Sequence, residues 1–472
     1  MKKYIFPILI FLSISLIYSY KLFSSFNFHP DFARDIYDML TIIRGKLTLI
    51  GPKFSFGGIY SGPYYYYLFV PIFYLTKLNI DSLLIFNLLI FIAALLVYFI
   101  YASKKFDLIS AILAVLVLTF IPIYLIFSRS PWNGSTYLPL LLIFLTLLYF
   151  QNFKSIGLFL LGIWGGAIIT IHLVNLPILI IAFLYFLKFN HNRYRLIYLA
   201  LGVLVALLPL IAFEFRHNFI MLKNTFIIGS YQSFIENKNI PYAVSGNKNF
   251  LKNIFFVGKH LSSQTGVNIL IYFSLFILLW PRLKETRLKF FIMSILVLFL
   301  IYSLILRYQF GQHYLFPFSL FIVFIAIITL LNTKNKWLLV VVLLLELSSF
   351  PKTIYNTSPR KSEKYEKAVN FIIDNKIVQK NDSFNIIQYS KEYKIYVPIG
   401  HEYRFFFVKN KFLPKSEFEY NTSGILLIFS ELNDLDITKL NSWEIDQFGK
   451  QYFNKRQKYK IGDIILYKIK KI

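Results

Sequence analysis

Apolar runs of roughly 17–22 residues recur along most of this chain, each long enough to cross a hydrocarbon core about 30 Å thick. They lie near 4–20, 81–102, 107–127, 136–151, 155–171, 174–188, 195–213, 267–281, 288–307, 312–331 and 336–350. The first run closes on Tyr, Lys and Phe without a small-residue cleavage site, so it is expected to stay as a span rather than leave as a signal peptide. At about residue 350 the pattern changes. A polar helix is expected around 361–379, followed by short β-like runs at 384–389, 403–408, 424–429 and 463–467. The fold class expected is therefore an all-α polytopic membrane domain over 1–350, with about eleven spanning helices, and a small α/β soluble domain over 351–472. Some 120 residues can hold a core of their own.

One segment decides the orientation. Residues 63–78, opening Pro63-Tyr64-Tyr65-Tyr66-Tyr67 and containing Pro71, read either as a span or as a helix lying in the interface. Four successive Tyr, an internal Pro and a short length suit the interface. Laid flat, this segment leaves Lys2, Lys3, Lys104, Lys105, Lys154, the 188–195 and 282–289 clusters, Lys334 and Lys336 on the cytoplasmic side, as the positive-inside rule requires. A multi-pass protein of the cell membrane is expected, with its N-terminus cytoplasmic and the segment from 351 onward extracytoplasmic.

Composition narrows the class. Hydrophobic residues are 57% of the 472 and charged residues 15%, against about 25% charged in soluble domains. The 52 Phe and 34 Tyr are rings that favour membrane interfaces. With no Cys, disulfides and thiolate metal sites are excluded. The net charge of +27 divides into +19 before residue 351 and +8 after it. The first share sits in short clusters between apolar runs, the signature of membrane topology, and no contiguous basic stripe suggests nucleic acid.

Unusual ionisable residues gather on the side assigned outward: Asp31, Arg34, Asp35, Arg129, His172, Glu214, Arg216, His217, Arg307 and His313. Such groups at membrane depth are costly and mark function. Only nine of the first 350 residues are acidic, and three of them lie within 31–38. Asp31, Arg34, Asp35 and Asp38 follow i, i+3, i+4, i+7 spacing and share one helical face, with Phe32, Ile36, Met39, Leu40 and Ile43 opposite. The pattern predicts an amphipathic helix along the outer membrane surface, carboxylates turned to the lumen. The plainer reading is a solvated face with Arg34 paired to Asp35 or Asp38.

A shaped loop follows, Gly51-Pro52-Lys53-Phe54-Ser55-Phe56-Gly57-Gly58-Ile59-Tyr60-Ser61-Gly62-Pro63. It lacks the Gly-Lys-Ser/Thr ending of a phosphate-cradling P-loop. Taken together, a first span, an outer helix with Asp-x-x-Arg-Asp, and this loop running into Tyr64-Tyr65-Tyr66-Tyr67 resemble the GT-C membrane glycosyltransferases, in the branch of the protein O-mannosyltransferases and lipid A aminoarabinose transferases. The resemblance covers 1–331 and is strongest over 29–75. Ser130-Pro131-Trp132-Asn133, Ile171-His172-Leu173 and Gly311-Gln312-His313-Tyr314-Leu315-Phe316-Pro317 resemble later segments of the same family. This chain departs in having Asp31-Phe32 where relatives often have Asp-Glu, and in lacking a second-loop Asp within 128–137.

The resemblance implies transfer of a sugar from a polyprenyl-phosphate carrier to a glycan, lipid or protein acceptor on the outer face, with inversion. It implies Asp31 as the proton-accepting carboxylate. Arg34, Asp35, Arg129, His172, His313 and Tyr314 are the candidates for substrate and phosphate binding, with Arg307 weaker. The donor is the lipid-phosphate-linked sugar, membrane lipid is a partner, and a divalent cation is the only cofactor left open. Asp434-Leu435-Asp436 has metal-binding spacing but reads as surface. Asn356, Asn381 and Asn421 begin glycosylation-type sequons. Two other classes stay open: a polysaccharide polymerase or ligase, to which the 214–265 loop is a modest match, and a lipid-linked sugar transporter, for which no internal repeat is present.

Overall fold

The structure, a computed structural model, describes residues 2–54, 58–189, 193–229, 250–305, 311–390, 399–433 and 435–471. The chain divides into two compact units, one of residues 1–25 and 48–356, the other of 26–47 and 357–472.

The first unit is helical. Every apolar run read from the sequence contains a helix, from Lys2–Ser19 through Ile80–Lys105 and Ser155–Ile171 to Phe316–Asn332 and Trp337–Ser348. The count of eleven spans is a finer matter. Among the described residues, four helices are long and apolar enough to cross a membrane unaided: Ile80–Lys105, Arg193–Arg216, Thr286–Leu304 and Gln312–Asn332. The pair Phe250–Thr265 and Ile269–Arg282, bent by 89°, would make a fifth. The other apolar helices run 10–17 residues, because the runs are interrupted. Ile121-Pro122 separates Leu108–Phe120 from Pro122–Phe127, since proline cannot donate to the preceding turn. Tyr64–Leu75, at 12 residues, reaches about 18 Å and is too short to cross alone.

Small residues set the closest helix pair. Ser155–Ile171 lies against Leu196–Arg216 through Gly162 and Gly166 on one side and Gly202 and Ala206 on the other. A Cβ at Gly162 would sit 2.2 Å from the Leu199 carbonyl oxygen, and one at Gly202 would sit 2.1 Å from that of Phe159. Membrane helices gain from such contact through van der Waals packing and not from water exclusion. Elsewhere in the bundle a single phenol ties three helices to the residue that precedes a fourth, Thr286–Ile305. Tyr149 Oη accepts from Lys105 Nζ at 2.9 Å and from Asn332 Nδ2 at 2.8 Å, and donates to Glu285 Oε2 at 2.8 Å.

The second unit carries a four-stranded sheet in the order β1-β2-β4-β3, with β1 Phe384–Tyr389, β2 Ile425–Ser430, β3 Arg456–Ile461 and β4 Ile464–Lys470. β1 and β2 run parallel, with Phe384 opposite Ile425; β2/β4 and β3/β4 are antiparallel. Leu426, Ile428, Phe448, Phe453 and Ile469 form the core on one face.

Three sequence expectations change here. The run 403–408, read as a strand, is helical within His401–Lys409, and Tyr403 to Val408 are all buried. A short run apolar on every side has no period to reveal its type. β3 was not expected, because Arg456-Gln457-Lys458-Tyr459-Lys460 is a polar edge strand. The helix predicted around 31–43 forms as Pro30–Ile43. Its apolar face is taken up by protein rather than left for lipid: Phe32, Ile36 and Met39 are fully buried, and the helix packs on His401–Lys409. Arg44 Nη2 donates to the Val408 carbonyl at 2.7 Å and Phe28 N to that of Arg360 at 2.8 Å.

Gly202→Val is expected to force the two glycine-faced helices apart. Overpacking typically costs about 1–3 kcal/mol, so the purified variant should melt below the wild type, whereas Leu201→Val at an exposed position should not.

Candidate functional site

The sequence-predicted site residues fall into two groups, one in each unit, and each group is built by a local break or cap.

In the second unit His29 caps Pro30–Ile43, its Nδ1 accepting from Phe32 N at 3.2 Å, and Pro30 occupies the first helical position. Asp31 then lies in the first turn, where a carboxylate complements the helix dipole. Arg34 is the hub. Its Nη1 donates to Asp31 Oδ1 at 3.3 Å, and its Nη2 and Nε donate to Asp35 Oδ1 at 2.8 and 3.1 Å. The plainer reading of paired charges thus holds in part, with Asp31 beside Asp35 as the partner.

The two carboxylates differ in environment. The Asp31 side chain is 56% exposed and that of Asp35 is 0%, so Asp35 does not face solvent as its helical spacing suggested. Asp35 Oδ2 has no hydrogen-bond partner. Burial pushes the Asp35 carboxyl up to about 7; Arg34 opposes the shift, while Asp31 and Asp38 add to it. Burial holds His29 down at about 4 against the pull of Asp31.

A residue that the sequence did not single out joins this group. His401 lies with its ring 6.3 Å from that of Tyr37 and its Nε2 3.9 Å from Glu417 Oε2. Burial, Arg404 and Arg34 keep its imidazole well below the ordinary histidine range. Only the helical state of 401–409 brings it there, and no local signal announced that state.

In the first unit two helix breaks bring His172 and His313 together. His172 ends Ser155–Ile171 and accepts from Val174 N at 3.4 Å through Nδ1. His313 lies on the 3-10 turn Gln312–Leu315 ahead of Phe316–Asn332. The imidazoles meet edge to face at 5.5 Å. Aromatic rings wall them: Trp132 at 5.4 Å and Tyr314 at 4.4 Å from His313, Tyr137 at 5.8 Å and Phe54 at 5.7 Å from His172. The described flanks of the Gly/Pro loop pair with each other and dock here. Phe54 N bonds to the Ile59 carbonyl at 3.0 Å and Gly62 N to that of Thr170 at 2.6 Å. A Cβ at Gly62 would lie 2.6 Å from Thr170 Cβ, so glycine is required for this approach.

Arg129 has a different employment. Its guanidinium donates to the carbonyls of Tyr18 and Tyr20 at 2.5 and 2.9 Å and to Ser25 Oγ at 2.7 Å, and it stands 5.0 Å over the Tyr355 ring. It ties the end of the first helix to the 128–137 turn. Arg307 and Asp434 lie outside the described residues, and Asp436 caps a surface turn through Thr438 N at 3.1 Å. Among the described residues no group of three metal-ligating side chains is present.

No protein-family model matches the sequence, and no curated protein matches it. Solved structures do. The crystal structure of ArnT from Cupriavidus metallidurans in the apo state aligns with a TM-score of 0.61 over 98% of this chain and 97% of that one, at 12% identity. ArnT bound to undecaprenyl phosphate aligns with the same score and coverage at 11% identity. The chain therefore has the fold of this aminoarabinose transferase, a GT-C glycosyltransferase, and the likeness in fold runs along the whole length, beyond the 1–331 over which the sequence resemblance was read.

Two outcomes follow from these geometries. Arg129→Ala leaves buried carbonyls without donors, which costs on the order of 1–3 kcal/mol; its melting temperature should drop. For Asp35, a folded value near 7 lies above the unfolded value of 3.8. The native state therefore holds its proton longer, and stability present below about pH 4 is lost as pH rises through about 7. Melting curves from pH 5 to 8 should show a decline in the wild type that is shallower in Asp35→Asn.

Proposed function

We propose that the chain is a membrane glycosyltransferase that moves a sugar from a polyprenyl-phosphate carrier to an acceptor on the extracytoplasmic face, inverting the anomeric carbon. The observation that carries this reading is the full-length fold match to ArnT, whose structure was also solved with undecaprenyl phosphate. The clusters of Lys and Arg between the apolar runs favour the orientation in which the N-terminus is cytoplasmic and the 351–472 segment lies outside.

In the proposed reaction, an acceptor hydroxyl or amine attacks the anomeric carbon as the bond to the lipid phosphate breaks. The acceptor's proton passes to a carboxylate, and the leaving phosphate keeps the bonding electrons. Asp31 takes the proton: its carboxylate is exposed, and Arg34 orients it. Asp35, with two hydrogen bonds to Arg34, fixes the guanidinium that would bear on the substrate. In the first unit, His172, His313 and Tyr314 are assigned to the lipid phosphate, where ring N–H and phenol donors serve a developing anion. Arg129 contributes by holding the 128–137 turn from which Trp132 reaches His313.

Incubating the purified chain with undecaprenyl-phosphate-linked sugars and following release of undecaprenyl phosphate tests the reading. Asp31→Asn keeps size but accepts no proton, so the rate should fall by about 10²–10⁴ while donor binding survives. Asp38→Asn should cost far less. Near-wild-type turnover in Asp31→Asn with a dead Asp38→Asn would move the base to Asp38; full activity in both would refute the mechanism.

A further inference from the structure

Glu346 is the one acidic residue within the 336–350 apolar run. It lies on Trp337–Ser348, is 0% exposed, and neither carboxyl oxygen has a hydrogen-bond partner. Among the described residues the ionisable group in reach is Tyr272, whose hydroxyl is likewise fully buried, interacts with the Glu346 carboxyl and has no other partner. The surroundings supply no cation among the described residues. Leu108–Phe120 and Phe316–Asn332, which pack on the Glu346 helix, carry no ionisable side chain. Ile269–Leu279 carries only Tyr272, and the last turn of Phe250–Thr265 reads Ser262-Ser263-Gln264-Thr265. In Pro122–Phe127 the one ionisable group, Tyr124, donates to the Phe91 carbonyl at 3.0 Å. Lys352, the next charged residue along the chain, is exposed.

An ionised carboxylate placed so would bear a desolvation cost of several kcal/mol with nothing to offset it. A neutral carboxyl bears none of that charge. It has one donor and spare acceptors, and a phenol offers the complementary set.

The position is as telling as the burial. Glu346 stands at the elbow where Phe250–Thr265 and Ile269–Arg282 meet at 89°. Gly266, at φ +75°, turns the elbow. A Cβ there would lie 3.4 Å from Glu346 Cα and 3.0 Å from Pro122 Cδ, and Ser349 Oγ donates to its carbonyl at 2.8 Å. Broken membrane helices are where transport proteins place their proton and sodium sites. Two residues before Gly266, Gln264 Nε2 donates to the Gln312 carbonyl at 2.8 Å while its Oε1 accepts from Ser319 Oγ at 2.6 Å. Gln312 opens the turn that carries His313 and Tyr314.

We propose that Glu346 is a proton-binding site that keeps the elbow closed against Tyr272, and that the elbow passes its state through Gln264 to the His313 turn. The consequence for donor binding rests on the function proposed above; the proton site itself does not. On losing its proton the carboxylate requires water or a cation, the contact with Tyr272 gives way, and the turn is released.

The test uses the full chain reconstituted in lipid. Infrared spectra should contain a protonated-carboxyl carbonyl band that shifts in D₂O, weakens as the medium becomes alkaline and is missing in Glu346→Gln. Glu346→Asp, which keeps a carboxyl, should displace the band rather than abolish it, and it serves if the Gln variant does not fold. Undecaprenyl phosphate affinity should fall by about tenfold between neutral and alkaline medium in the wild type, within the usual span of coupling between sites, and stay level in Glu346→Gln. No Glu346-dependent band at any pH, or a band removed by sodium at constant pH, would overturn the proton site. Identical pH profiles of lipid binding in both proteins would overturn the coupling. A wild type that shows the band yet binds no undecaprenyl phosphate would sink the donor reading and leave the proton site standing.

Discussion

A backbone carbonyl freed where a helix breaks inside a membrane has no water to turn to, so a donor from elsewhere in the protein must meet it. The first unit is arranged around that need. Asn87 Nδ2 donates to the carbonyls of Phe127 and Ser128 where Pro122–Phe127 ends, at 2.9 and 3.0 Å. Tyr18 Oη reaches the Thr119 carbonyl just before the Ile121-Pro122 interruption, and Asn175 Nδ2 that of His172, both at 2.9 Å. Gln264 and Arg129 do the same for Gln312, Tyr18 and Tyr20. Except for Asn175, which bonds within its own turn, each donor joins two elements distant in sequence, so the breaks that weaken individual helices become the places where the bundle is fastened.

Those breaks are also where the candidate chemistry sits. His172 ends one helix, His313 precedes another, and Trp132 stands on the turn held by Arg129. An unbroken apolar helix presents side chains to lipid or to packed neighbours. A break turns the chain back at the end of the bundle and lets polar side chains project among aromatic ones. The placement of His172 and His313 at such ends fits the cost of setting an imidazole deeper in the membrane.

How much of this could be read from the sequence depends on whether a signal was local. Pro30 with Asp31 and the i, i+3, i+4 charges marked a helix that the structure has at Pro30–Ile43, and the Gly51–Pro63 punctuation marked the shaped loop whose close approach needs Gly62. Apolar runs marked helices but not their lengths, since a Pro or a 3-10 turn divides a run without altering its hydrophobicity. What depended on a distant partner stayed hidden. Asp35 has the spacing of an exposed charge and is buried; Arg129 looked like a free cation and is spent on carbonyls; His401 enters its cluster through a helix that its own aromatic sequence disguises as a strand.

The carboxylates bring these strands together. Asp31 and Asp35 share one helix and one arginine, yet one side chain is 56% exposed and the other 0%. That contrast separates their settings: the Asp31 carboxylate is open to solvent, while the buried Asp35 is bonded to Arg34. Glu346 extends the argument to a buried carboxyl with no arginine beside it among the described residues. Three acids in an acid-poor chain thus occupy three electrostatic settings that helical spacing alone does not distinguish. Residue type and period specify where a carboxylate can lie along a helix, whereas the neighbours brought in by the fold decide whether it can exchange a proton, hold a cation in place, or keep its proton.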